Sequence, residues 1–382
     1  MTGKPVRKTR DGQRVALVLQ GGGALGAYQG GVYQALAEHG YAPDWVAGTS
    51  IGSINGAIIA GNPPEDRLSR LREFWDTVCR REVWAPWELP GPARKAQSAW
   101  SVATTVLSGA PGFFIPRLWS PLAWLPAGTA ETASYYDTAP LRETLGRLID
   151  FGRLNDGATR FSAGAVHVRT GVLRYFDTAK ETIGPDHILA SGALPPWFPA
   201  VEVGGEPYWD GGIYSNTPLE VVLDDLPRAD TLCFMVALFD PAGPEPRSLP
   251  EVETRQKDIV YGTRAQEHIE AYCRTHDLRR AVRALYQRLP EEDRRDPELC
   301  SLARLGCTTT MHIVRLIYPA QEWELAFKDA DFSRAAVEER WQRGYRDASR
   351  MLERSPWLEP VPPDSGAVVH DLPGEGGGEN NR

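Results

Sequence analysis

The chain has 382 residues, 42% hydrophobic and 24% charged, a balance that suits a globular protein of one large domain or two ordinary ones. A net charge of −8 excludes a general nucleic-acid binder, and no apolar run approaches the ~20 residues of a membrane span. Five scattered cysteines (Cys79, Cys233, Cys273, Cys300 and Cys307) form no CxxC pair and no zinc-spaced His/Cys cluster, so reduced thiols in a cytoplasmic protein without metal or cofactor are expected.

Residues 1–13 are basic and polar, with no hydrophobic segment behind them, and read as a flexible tail rather than a secretory signal. Residues 14–20 are a continuous apolar run with β-branched members, which predicts a strand buried on both faces of a parallel sheet. Gly21-Gly22-Gly23 follows, then a helical pattern over 24–39 with Tyr28, Val32 and Leu36 on one face. A second strand over 44–47 enters Gly48-Thr49-Ser50-Ile51-Gly52, and a helix of small and apolar residues runs over 51–60. Strand, helix, strand, helix at this spacing predicts an α/β domain with right-handed crossovers.

A third helical pattern covers 65–80. From 84 to 128 prolines and tryptophans dominate, which predicts an irregular insertion with short helices over one end of the sheet. Further along, a short helix is expected at 141–149, a hairpin over 159–169 and 171–177, and a short helix or turn at 187–192. Tyr208-Trp209-Asp210-Gly211-Gly212 reads as a strand end entering a tight loop, and 231–239 as another fully buried strand. Beyond 241 come a long charged helix over 252–288, a polar stretch at 289–306, a buried strand at 308–318 and an amphipathic helix at 332–352. Residues 358–382 are rich in Pro, Gly, Glu and Asn and read as a disordered tail. Because strands recur late, one extended domain is preferred to two.

Three glycine-bearing pieces carry the chemistry. In Gly48-x-Ser50-x-Gly52 a strand turns abruptly into a helix, which holds the serine at an exposed, strained corner at the helix N-terminus. Alone this motif fits a nucleophile or an ordinary glycine-rich turn. Gly21 to Gly23 end the neighbouring parallel strand, so their amides face the same sheet edge and can form an anion-binding nest. The same stretch matches the GxGxxG of a dinucleotide site, but that reading wants an acidic residue at the end of the second strand, where Gly48-Thr49-Ser50 stands. Of seven histidines (His39, His167, His187, His268, His276, His312 and His370) only His187 comes near a post-strand loop, and nothing marks a triad histidine. Asp210, followed by Gly211 and Gly212, is the best-placed carboxylate. A buried carboxylate can act as a general base directly if desolvation raises its pKa.

GGGxxG, then GxSxG about 27 residues later, then a distant DGG resembles the patatin-like phospholipase family. So does the block from Ala190 to Pro199 (ASGALPPWFP), and the resemblance spans roughly residues 14–240. It implies a three-layer α/β/α sandwich with a mostly parallel central sheet and a Ser-Asp dyad. Ser50 would be the nucleophile, Asp210 the base, the Gly21, Gly22 and Gly23 amides the oxyanion hole, Gly48 and Gly52 the elbow, and Gly211 and Gly212 the aspartate loop. It also implies hydrolysis of lipid acyl esters through an acyl-enzyme. An acyltransferase using the same acyl-enzyme, or a non-catalytic lipid-binding protein of the same fold, are the alternatives. Many members carry Arg or Lys where this chain has Leu25, which leaves the oxyanion side without a nearby side-chain cation. Residues 308–345 resemble a C-terminal extension of some bacterial members. The expected division is a core over 14–240 with an insertion at 84–128, a helical extension over 241–357 packed on it, and the tail.

The expected partner is a lipid or other acyl ester. Residues 67–124 hold eight basic and four acidic side chains and half of the 12 tryptophans. Two readings stand: a peripheral surface for an anionic membrane, or tryptophans buried against the sheet. Head group, chain length and oligomeric state are not encoded in any motif.

Overall fold

The computed structural model describes residues 12–80, 91–117, 128–319, 321, 324, 327–362 and 365–372. The strands are β1 (Arg14–Leu19), β2 (Trp45–Thr49), β3 (Ile115–Pro116), β4 (Tyr136–Asp137), β5 (Arg160–His167), β6 (Leu173–Asp177), β7 (Val201–Val203), β8 (Glu206–Asp210), β9 (Thr231–Ala237), β10 (Met311–Ile317) and β11 (Ala367–Asp371). The helices are α1 (Ala27–Glu38), α2 (Ile51–Ala60), α3 (Arg67–Val78), α4 (Gly91–Ser108), α5 (Ala139–Leu148), α6 (Phe151–Asn155), α7 (Pro185–Ser191), α8 (Glu220–Leu223), α9 (Leu249–Arg288), α10 (Pro297–Ala303) and α11 (Arg334–Arg354).

Nine strands form one sheet in the order β11-β10-β9-β1-β2-β5-β8-β7, with β6 also on β5. The run from β11 to β5 is parallel, and β6, β7 and β8 are antiparallel additions. Each central strand feeds two cores, as side-chain alternation requires. Val15, Leu17 and Leu19 join Leu232, Phe234, Val236, Val314 and Leu316 on one face. Ala16 and Val18 join Cys233, Met235 and Ile313 on the other. Helices α1, α2, α3 and α11 cover the first face, and α8 and α9 the second. The fold is therefore a three-layer α/β/α sandwich with a mostly parallel central sheet.

The first helical layer is tight because its helices meet through glycine. A Cβ on Gly31 of α1 would strike the Trp341 carbonyl of α11, and one on Gly344 would strike the Tyr28 carbonyl. Trp341 fills the space beside Gly30 and is fully buried, with the Arg72 guanidinium 3.7 Å over its ring. Such a large buried ring contributes about 3–5 kcal/mol relative to alanine.

Two expectations are corrected. The 84–128 insertion is not built of short helices where it is described: 91–108 is one helix of 18 residues. Its Pro92 start and Gly109 stop are ordinary helix signals, masked by the prolines and tryptophans around them. Residues 81–90 and 118–127, with Trp84, Trp87, Trp119 and Trp124, lie outside the described residues. The tail over 358–382 is not wholly unstructured, since Ala367–Asp371 pairs in parallel with β10 at the sheet edge. Two valines in a Pro/Gly-rich stretch suffice for a strand once a paired edge awaits them. The proposed 1–13 tail lies outside the described residues up to residue 11.

Candidate active site

Strand register brings the distant motifs together. Gly164 of β5 is paired with both Thr49 of β2 and Tyr175 of β6, so those strands flank it on opposite edges. The next residue, Ala165, is paired with Arg174 of β6 and Asp210 of β8. Thus β8 continues along the edge that β2 has just left. The last residue of β2 and the last of β8 face neighbouring positions of one strand, and Ser50 comes to lie beside Asp210.

Ser50 has φ 56° and ψ −126°, one of two non-glycine residues with positive φ among the described residues. Such a conformation costs of order 1–3 kcal/mol and persists only where the surroundings impose it. Here they do. The Ser50 amide donates to the Ser191 carbonyl at 3.0 Å and to its hydroxyl at 3.2 Å, while the Ser50 carbonyl accepts from the Ser53 hydroxyl at 2.7 Å. Gly48 and Gly52 leave no room for side chains: a Cβ on the first would strike Gly52, and one on the second the Leu19 carbonyl.

The Asp210 carboxylate lines the same cavity as Ser50, close enough for the Ser50 side chain to act on its proton affinity, and it accepts the Gly212 amide at 2.7 Å. The Asp210 amide donates to the Ala193 carbonyl at 3.0 Å. The 190–199 block therefore ties the serine corner, through Ser191, to the aspartate loop, through Ala193. Asp210 is 2% exposed. Burial pushes its pKa up to about 7, against the lowering effect of the Gly212 amide and the nearby Ser50 side chain. None of the histidines lines the cavity at Ser50.

The glycine loop divides its labour. The Gly21 amide, one of the three expected oxyanion donors, instead donates to the Asn216 carbonyl at 3.0 Å. Gly22 and Gly23 have no acceptor for their amides among the described residues. Gly23 sits at φ 53°, and a Cβ there would strike the Asp329 carbonyl.

Asn216 was missed in the sequence, although it stands six residues beyond Asp210. Its side chain donates to the Gly21 carbonyl at 3.0 Å and fills the space against Gly212, linking the glycine and aspartate loops. Gln20 was missed as well. Its side chain accepts the Leu238 and Phe239 amides and donates to Thr217 at 2.8 Å, which fixes the ends of β1 and β9 together. The polarity of Gln20 at the end of an apolar run was the one hint of its role, and no motif marked Asn216.

A cavity of about 310 Å³ opens at this site, lined by Ser50, Asp210, the glycine loop and an aromatic group that includes Phe113, Phe114, Phe198 and Phe332. The residues after 241 supply part of its wall, with Lys257 from α9 and Phe327, Asp329 and Ala330 from the stretch before α11. Lys257 is ion-paired with Asp329 at 3.1 Å. Leu25 is buried, and Lys257 from the extension is a side-chain cation in the cavity wall, its charge paired with Asp329. Two buried ion pairs anchor that wall. Arg340 meets Glu324 at 2.9 Å and donates to the Lys328 and Asp331 carbonyls, and Lys328 meets Asp258 at 2.8 Å.

Comparison with known proteins bears on the family of the chain. Residues 17–223 match a family model described as patatin-like phospholipase, and residues 259–364 one described as patatin phospholipase. The mouse patatin-like phospholipase domain-containing protein 7 is 28% identical over 210 residues, 55% of this chain and 13% of that protein. The human patatin-like phospholipase domain-containing protein 6 is 45% identical over 64 residues, 17% of this chain and 5% of that protein. Lysophospholipase nte1 of Aspergillus terreus is 55% identical over 49 residues, 13% of this chain and 3% of that protein. The chain thus matches only a small part of the length of these relatives. The crystal structure of VipD from Legionella pneumophila aligns over 90% of this chain and 67% of its own at 13% identity and a TM-score of 0.40.

Proposed function

The chain belongs to the patatin-like phospholipase family, and from that premise we propose that it is a serine lipid acyl hydrolase working through a Ser50–Asp210 dyad. Family membership supports lipid hydrolysis in general. The finer reading rests on one observation: a strained serine beside a buried carboxylate, whose desolvation pushes its pKa up to about 7. A carboxylate in that range is half-ionised near neutral pH and takes a proton far better than an ordinary aspartate.

In this reading Ser50 Oγ attacks the ester carbonyl carbon and its proton passes to Asp210. The carbonyl oxygen becomes an oxyanion, held by the Gly22 and Gly23 amides with help from the N-terminus of α2. The intermediate collapses, the alkoxide leaves with the proton from Asp210, and the acyl group stays on Ser50. Water then attacks, giving its proton to Asp210, and the second collapse frees the fatty acid and returns the proton to Ser50 Oγ. Gly21 and Asn216 hold the loop that carries the donors.

We also propose that the cavity mouth meets a lipid surface. On α4, Trp100 and Leu107 are 72% and 73% exposed, while the adjoining Thr105 and Val106 line the cavity. An exposed tryptophan and leucine at such a mouth suit the headgroup region. No helix among the described residues is long and apolar enough to cross a membrane.

The test is hydrolysis of a chromogenic acyl ester by the full chain, with labelling by a serine-directed fluorophosphonate. Ser50→Ala and Asp210→Ala are expected to lose turnover at unchanged secondary structure, and Ser50→Ala to lose labelling. Full activity in either variant would overturn the dyad.

A further inference from the structure

Each glycine of the loop after β1 is pressed by a different part of the chain. A Cβ on Gly21 would meet Asn216, Ser50 and Thr49, and one on Gly22 would meet Leu238 and Phe239. The nearest atoms to a Cβ on Gly23 all belong to Asp329, its carbonyl oxygen first. A run of glycines has no side chains with which to fix itself, so its geometry depends on such outside contacts. The first two come from residues that end or follow core strands. The third comes from the turn before α11, in the extension.

That turn is tied down from several sides. Lys257 of α9 donates to both carboxylate oxygens of Asp329 at 3.1 Å. The adjacent residues repeat the contact in reverse, Lys328 donating to Asp258 at 2.8 Å. Lys257-Asp258 thus faces Lys328-Asp329, with each lysine on the other segment's aspartate. Arg340 of α11 donates to the Lys328 and Asp331 carbonyls, both at 2.9 Å, and Ser98 and Ser101 of α4 donate to the Asp331 carboxylate at 2.8 and 2.7 Å. Lys328, Asp258 and Asp331 are buried, whereas the Lys257 and Asp329 side chains, at 33% and 28% exposure, stand in the cavity wall. An ion pair so open to solvent contributes little to global stability. Its local place is what distinguishes it, since the carbonyl of the same Asp329 lies against Gly23.

We propose that Asp329, clamped by Lys257, is a positioning residue for the oxyanion loop, its carbonyl setting Gly23 and so the direction of the Gly22 and Gly23 amides. This rests on the hydrolase reading of the same cavity. Neither residue makes or breaks a bond in the reaction. Placement matters steeply at such a site: loss of one oxyanion donor costs about 10²–10³-fold, and a shift of about 1 Å costs on the order of 10²-fold.

The experiment measures kcat and KM of the full chain on a small uncharged chromogenic ester, which offers Lys257 no charged group to bind. Lys257→Met and Asp329→Asn are each expected to lower kcat by roughly 10–100-fold, with KM and Tm close to wild type. Because the two act as one clamp, the double variant falls no further than either alone, and Lys257→Arg, which keeps the ion pair, retains most of kcat. The sign at Asp329 separates positioning from a direct field on the oxyanion. If Lys257 acted through its charge, the Asp329 carboxylate would oppose it, and Asp329→Asn would raise kcat. A raised kcat in Asp329→Asn, losses that multiply in the double variant, or an unchanged kcat in Lys257→Met overturns the inference.

Hydrogen exchange needs no turnover and separates the clamp from the hydrolase reading. The Leu25 amide closes the loop by donating to the Gly22 carbonyl at 3.1 Å. Lys257→Met is expected to speed exchange at Leu25, and Lys257→Arg to leave it as in wild type. That pattern supports the clamp even if wild type cleaves no ester. Unchanged exchange in Lys257→Met overturns the clamp, and ester cleavage by wild type then leaves the dyad standing.

Discussion

Asp210→Asn is the substitution whose effect can be worked out furthest. Asparagine has the shape of aspartate, can still accept the Gly212 amide, and can donate to the Ser50 oxygen. It cannot ionise. In the wild type, burial raises the carboxyl from its ordinary 3.8 to about 7, so the folded protein holds a proton that the unfolded chain releases. The sign follows from that difference. Below pH 4 the group is protonated in both states and adds no penalty. As pH rises from about 4 to 7 the unfolded state ionises first, and wild-type stability falls. Above 7 both states are ionised and the penalty is constant. At about 1.4 kcal/mol for each tenfold in proton affinity, the rise from 3.8 to about 7 amounts to about 4 kcal/mol. For a chain of this length that corresponds to roughly 5 °C in Tm. Thermal unfolding of both proteins from pH 4.5 to 9 is the assay. Asp210→Asn is expected to be inactive, and its Tm advantage over wild type to grow with pH and level off above 7. A pH-independent difference, or a variant less stable than wild type at pH 8, refutes the account of Asp210 as a desolvated base.

Four further outcomes are expected. The kcat/KM of the wild type rises with pH and is half-maximal near 7, because only ionised Asp210 accepts the serine proton; a flat profile between pH 5.5 and 8.5 would exclude it as the base. Asn216→Ala frees the Gly21 carbonyl and loosens the glycine loop, lowering kcat by roughly 10–100-fold while fluorophosphonate labelling persists at a reduced rate. Arg340→Met leaves the Glu324 charge buried without its partner and destabilises by about 3–5 kcal/mol in urea unfolding; loss of that anchor also raises KM, since the wall at Asp329 and Ala330 moves. Trp100→Ala/Leu107→Ala reduces sedimentation with vesicles containing anionic lipid and leaves hydrolysis of a water-soluble ester unchanged; undiminished sedimentation counts against α4 as the docking helix.

The sequence determined the local pieces. Apolar runs of strand length, a serine between glycines and an Asp-Gly-Gly turn each prescribe a backbone shape through short-range sterics, and each lies at a strand end as expected. Chain order alone could not bring Ser50 and Asp210 together. That depended on β8 joining β5 antiparallel on the edge where β2 stops, β2 itself being paired to β5 across more than 100 residues of chain. Nor could it say which glycine amides stay open, because the Gly21 amide is taken by Asn216 across the fold. The base strength of Asp210 comes from desolvation, a property of everything packed around it. Likewise the cavity wall draws on Lys257 and Asp329 from the far end of the chain. Local sterics are written in consecutive residues, whereas solvent exclusion and unmet hydrogen bonds exist only in the packed molecule.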